Sequence, residues 1–204
     1  MRIQYNSPVI LTLTLLSTVV FVLQFFTPIS VIDYFTIIPG RWSWTDPVSY
    51  LSLVSHILGH GGNGAATEEA WAHLIGNFTI ILLIGPILEE KYSSRDLLFM
   101  IVFTALLTGV LQVVFFDTGL LGASGIVFMM IVLASFTNSR QGTIPMTFIL
   151  IALLFLGQEI FRSFGEDNVS QFAHIIGGIC GGIFGFFLEG GAKKKSSASL
   201  GSRL

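Results

Sequence analysis

Long apolar blocks separated by short polar clusters run through this chain, and that alternation restricts its fold more than any other feature. About 20 apolar residues in a helix cross the ~30 Å hydrocarbon core of a bilayer. Hydrophobic residues fill 52% of the 204 positions and charged residues only 11%, against about 25% charged in a soluble domain. The chain is therefore read as an all-α multi-pass membrane protein with room for six spans and no separate soluble domain. A net charge of −2 argues neither for nor against a charged partner. No basic patch is interleaved with aromatics, so no nucleic-acid partner is expected. The single cysteine, Cys180, excludes an intrachain disulfide and a multi-cysteine metal site.

The pattern predicts spans near Val9–Phe26, Ala70–Leu88, Leu97–Phe116, Gly122–Phe136, Ile144–Phe161 and Ser170–Leu188. The first follows one positive side chain, Arg2, and is read as an uncleaved span. Between the first two lies a segment with Pro28, Pro39 and Pro47, too interrupted to span and too apolar for a free loop. Its pieces Val31–Ile38 and Pro47–Ile57 are expected to lie in or near the interface. The membrane domain is placed at 1–191. The polar tail, 192–204, is expected to be disordered. Six spans put Arg2, Lys91, Arg95, Arg140, Lys193, Lys194, Lys195 and Arg203 on one side and only Arg41 and Arg162 on the other. That asymmetry predicts cytoplasmic termini. The lysine run and the lack of an Arg- and Ser-rich presequence favour a prokaryotic plasma membrane.

Polar groups inside such spans are costly and usually functional. His73 and Asn77 are four apart in the second span and share a face. Spacing alone is equally satisfied by a hydrogen-bonding pair that joins two helices. Gly122-Ala123-Ser124-Gly125 opens the fourth span. Small residues there permit close packing, and a serine at a helix start also has free backbone N–H groups beside it. In the sixth span, Gly177, Gly178, Gly181 and Gly185 follow His174 at offsets of three, four, seven and eleven. They form one stripe with the histidine, so a close neighbour should face His174 too. The small-residue start of the fourth span is the natural partner, which predicts a Ser124–His174 pair. A neutral histidine can take the serine proton near pH 7. The Ser124 N–H, Asn77 and His73 could bind the developing oxyanion. No intramembrane aspartate is placed to orient the histidine, so the pair is a dyad and a slow enzyme is expected.

These features together resemble the rhomboid family of intramembrane serine proteases. Gly122-Ala123-Ser124-Gly125 matches the family's GxSG. Ala173-His174 with Gly177 and Gly181 matches its AHxxGxxxG, and His73 with Asn77 its histidine–asparagine pair. Gly85 and Glu89 match a glycine four before a glutamate at the inner end of the second span. The resemblance runs from the first span to Leu188. It implies a six-helix bundle with a membrane-embedded first loop, Ser124 as nucleophile and His174 as base. It implies an oxyanion hole of His73, Asn77 and the Ser124 backbone, with Glu89 structural. Helix five and the loop 162–169 would form a gate. Substrates would be single-span membrane proteins, cut after a small residue near the outer leaflet, with no cofactor and no metal.

Three positions depart from the family pattern. Arg41-Trp42 reverses a common Trp-Arg order, so it receives no role. Phe128 stands where a tyrosine often stacks on the catalytic histidine, and could stack without donating a hydrogen bond. The glycine-rich stretch 60–67 resembles an insertion on the outer side. Competing readings are a silent rhomboid-like protein that binds and routes membrane proteins, a small transporter, and a metalloprotease. The first typically lacks the serine or histidine, both present here. The second needs repeats with broken helices or ionisable groups along a path. The third would draw on His56, His60, Glu68, Glu69 and His73, but HExxH is missing. His56 and His60 are instead expected in the outer loop, solvated or capping.

Overall fold

The computed structural model describes residues 4–26, 31–61, 67–137, 144–151, 153–154 and 168–201. Six named α-helices organise them: α1 (Pro8–Phe26), α2 (Pro47–Ser55), α3 (Glu68–Tyr92), α4 (Ser94–Phe115), α5 (Ser124–Ala134) and α6 (Asn168–Gly201). Residues 146–151 are also helical. No strand occurs among the described residues beyond one isolated bridge, so the all-α expectation stands.

Local chemistry sets the helix starts. Pro8 and Pro47 occupy first-turn positions, where proline's missing N–H costs nothing. Asp46 caps α2 by accepting from the Val48 N–H at 3.0 Å. Thr67 caps α3 by accepting from Ala70 at 3.2 Å. The third helix begins two residues before the expected Ala70 and runs four beyond Leu88. The polar cluster at 89–92 does not end it, because Glu89 and Tyr92 turn inward and are buried. Helical backbone continues to Gly201, over positions where the polar composition suggested a disordered tail.

Three helices are long and apolar enough to cross a bilayer: Glu68–Tyr92, Ser94–Phe115 and Gln171–Leu188. Large apolar side chains on their outer faces, such as Leu83, Phe99, Val114, Ile183 and Phe187, are exposed. Such faces are normal against lipid and costly against water. The protein is a multi-pass integral membrane protein. By contrast, α5 is central: Gly125, Ile126, Val127, Met129, Met130, Val132 and Leu133 are all buried. Its 11 residues rise only about 16 Å. It is about half a bilayer long, and its approach through Leu120 and Ala123 is buried, so the chain runs inward to the protein core to reach its first residue.

That inward chain is tied down. Ile37 and Leu120 exchange two backbone hydrogen bonds of 2.9 Å, joining the long segment after α1 to the approach to α5. The Gln112 side-chain amide donates to the Thr118 carbonyl at 2.8 Å and fixes the turn between α4 and that approach.

Candidate active site

Among the described residues, the closest approach of two helices is the seam between α5 and α6. On α6, Gly177, Gly181 and Gly185 recur every four residues and lie on one face. A Cβ on Gly177 would strike the Gly125 carbonyl, one on Gly181 the Met129 carbonyl, and one on Gly185 the Phe136 ring. From the other side, a Cβ on Gly125 would stand 3.1 Å from the Ala173 carbonyl oxygen. Residue numbers rise together across the seam, so the helices are parallel and their N-terminal ends meet. Ser124 immediately precedes Gly125, and His174 immediately follows Ala173.

Ser124 and Phe128 are four apart and share a face of α5. The Phe128 ring lies 4.3 Å from the His174 ring, centroid to centroid, inclined by 39°. His174 is buried and Ser124 half-buried. The structure thus brings Ser124, Phe128 and His174 to one end of one seam.

Among the described residues, no side chain caps α5, whose boundary residue is Ala123. Its first N–H groups therefore have no intrahelical acceptor. Just before it, Gly122 has φ +113°, a left-handed conformation that a side chain disfavours. A Cβ there would also stand 2.8 Å from both Cε1 and Nε2 of His73. Glycine at 122 thus lets the His73 imidazole close over the turn. The Gly122 N–H donates to the His56 carbonyl at 2.9 Å, anchoring the same turn. His73 is also within electrostatic reach of His174. One turn along α3, buried Asn77 places its amide Nδ2 3.2 Å from Nε2 of His60.

His56 and His60 correct an expectation. They are not solvated: their exposures are 2% and 0%. The loop after α2 folds back beneath the N-terminal end of α3 and carries both imidazoles into the bundle. The Gln24 side chain donates to the His60 carbonyl at 3.1 Å, tying this loop to α1. His56 Nδ1 stands 3.2 Å from the Ser52 carbonyl oxygen, one turn back on its own element. A sequence signal existed, since two histidines four apart at the end of an apolar helical piece share a face. It gave no indication of what that face meets. Among the described residues, no three His, Cys, Asp or Glu side chains gather as a potential metal site.

Glu89 sits at the opposite end of α3. Its carboxylate accepts from the Val9 N–H at 3.0 Å, the Ile10 N–H at 3.1 Å and the Ser94 hydroxyl at 2.7 Å. The first two are unpaired first-turn donors of α1, and a negative charge also suits that end of the helix dipole. Gly85, one turn earlier, lets α1 approach: a Cβ there would stand 2.6 Å from the Ile10 side chain.

Arg41 is exposed and lies 3.6 Å from Asp33 on the outer surface of the first loop. Residues 62–66 of the glycine-rich stretch, and all of 155–167, lie outside the described residues. The expected gate therefore lies largely outside them too. Comparison with protein families matches the model described as Rhomboid domain over residues 49–190, more than half of the chain. Comparison with curated proteins yields no match.

Proposed function

The chain belongs to the rhomboid family, and from that premise we propose that it is an intramembrane serine endopeptidase working through a Ser124–His174 dyad. The observation that carries this reading is the α5–α6 seam. Its glycines allow backbone contact, and its N-terminal end holds Ser124 beside the Phe128–His174 ring pair.

In the proposed reaction His174 takes the Ser124 proton as the hydroxyl attacks a substrate carbonyl. The resulting oxyanion meets the Ser124 N–H, the Asn77 amide and His73. His174 then protonates the leaving amine, and water, activated by the same imidazole, hydrolyses the acyl-enzyme. Phe128 steadies the imidazole by ring contact, and no cofactor takes part. The substrates are transmembrane segments of other membrane proteins, cut near the outer leaflet after a small residue. The proposed setting is a six-span bundle with a membrane-embedded first loop and both termini cytoplasmic, in a prokaryotic plasma membrane.

The test is cleavage of a single-span substrate by purified protein in liposomes. Ser124→Ala and His174→Ala should each lower turnover by at least ~10³-fold. A fluorophosphonate should label Ser124 alone. Turnover that survives in Ser124→Ala would sink the dyad. A wild-type protein that binds a transmembrane segment but neither cuts it nor takes up the probe would be the silent relative instead.

A further inference from the structure

His60 has no part in the dyad or the oxyanion hole, yet it is the most enclosed ionisable side chain at this end of the bundle, with 0% exposure. Its ring stands between two elements, 5.0 Å from the His73 ring and 5.3 Å from the Phe78 ring. Three polar groups meet it. The Leu58 carbonyl oxygen lies 3.3 Å from Nδ1. The Ala123 N–H points at Nε2 from 3.3 Å. The Asn77 Nδ2 lies 3.2 Å from the same Nε2.

These partners define the tautomer. A carbonyl oxygen only accepts, so Nδ1 carries the proton. A backbone N–H only donates, so Nε2 offers its lone pair. The Asn77 group facing that lone pair must then be NH₂ and not the carbonyl. One amide hydrogen goes to His60, and the second is left to point elsewhere. Burial, reinforced by nearby His73, pushes the His60 pKa down to about 3, so the lone pair is present at any working pH.

We infer that His60 is a positioning residue for the oxyanion donors: its Nε2 sets the flip of the Asn77 amide and holds the Ala123 peptide that leads into Ser124. The inference rests on the protease reading above. Without this acceptor, the Asn77 amide could rotate and present its oxygen, which repels an oxyanion. The turn into α5 would also lose an anchor on the Ala123 N–H, next to the one that the His56 carbonyl supplies to the Gly122 N–H.

The experiment uses full-length protein in liposomes with the single-span substrate, measuring kcat and KM separately, with melting temperature recorded for each variant. His60→Leu should lower kcat by ~10–100-fold and leave KM within about twofold, because the lost donors act on the transition state. His60→Gln, whose side-chain oxygen can accept both N–H groups, should recover most of the rate. In an Asn77→Ala background, His60→Leu should cost far less than in the parent, since the two act as one unit. Should His60→Leu fail to fold, His60→Met supplies the length without a strong acceptor and takes its place in the cycle. Histidine ¹⁵N NMR should show His60 protonated at Nδ1 only. Additive losses with Asn77→Ala, equal rates for the Gln and Leu variants, or a protonated Nε2 at neutral pH would each overturn the inference. Wild-type protein that cuts nothing removes the protease reading and this one together. Wild-type protein that cuts, at a rate indifferent to His60, removes this one alone.

Discussion

The two ends of the bundle each bury a polar cluster, and they use their hydrogen bonds differently. At the Glu89 end, the carboxylate is taken up by Val9, Ile10 and Ser94. Those groups are spent on joining α1, α3 and α4. At the Ser124 end, the groups are imidazoles and amides. Among the described residues, one Asn77 hydrogen is left after His60 takes its partner, and the first N–H groups of α5 have no side-chain cap. A fully used network stabilises and does nothing else, whereas a network with spare donors at a half-buried serine can receive a substrate. The glycine seam connects the two ends, because it sets how α6 meets α5.

The seam is where that distinction should fail most severely. Leucine at 181 must place carbon where the Met129 carbonyl now lies, and backbone cannot yield as a side chain does. Gly181→Leu should therefore lose activity and melting temperature together, with stability falling by several kcal/mol, on the order of 3 or more. Gly76→Ala is the matched control, since a Cβ at 76 meets nothing within 4 Å. Thermal unfolding in detergent with parallel cleavage assays reads both. A stable, active Gly181→Leu would mean that the helices do not meet along this stripe.

The Glu89 end gives the cleaner separation. Glu89→Ala removes three hydrogen bonds and strands two N–H groups of α1 in a buried place. Loss of a charged cap of this kind costs about 2–3 kcal/mol. The melting temperature should fall, while kcat per folded molecule stays within about threefold of wild type. A hundredfold drop in kcat with unchanged stability would contradict the division between the two ends.

Much of this arrangement was legible in the sequence, and the gaps have physical causes. Helix periodicity and apolar runs located α1, α3, α4 and α5 to within a few residues, because hydrocarbon length and the need to satisfy backbone groups leave few alternatives. The glycine stripe implied a close neighbour for His174, since a bare helix face is useful only against another backbone. Tertiary direction was not legible. Glu89 belongs to a polar cluster that resembles a helix end, and only the approach of α1 shows why the carboxylate turns inward. His56 and His60 lie in a proline- and glycine-rich region whose polarity suggests solvent. Their burial comes from a loop that folds back against α1 and α3, through contacts such as Gln24 to the His60 carbonyl, 36 positions apart in sequence. No local pattern encodes a contact of that separation.

The smallest expected effect lies within the Ser124 end and asks how much of the chemistry depends on ring contact alone. Phe128 touches His174 with its ring and has no hydroxyl, so it can hold the imidazole only by dispersion and the geometry of two inclined rings. An aromatic contact of this type is worth about 0.5–1.5 kcal/mol, and each 1.4 kcal/mol is tenfold in rate. Phe128→Leu keeps apolar volume but removes the flat face. It should lower kcat by roughly 2–10-fold, with KM and melting temperature little changed. Fluorophosphonate labelling of Ser124 should slow by a similar factor, since it too needs an oriented base. A drop of a thousandfold would mean that the ring contact itself holds His174 in place, and that spare donors are not what separates the Ser124 end from the Glu89 end. An unchanged rate would mean that His174 is held by its seat in the α6 backbone, one residue beyond the Ala173 carbonyl that meets Gly125.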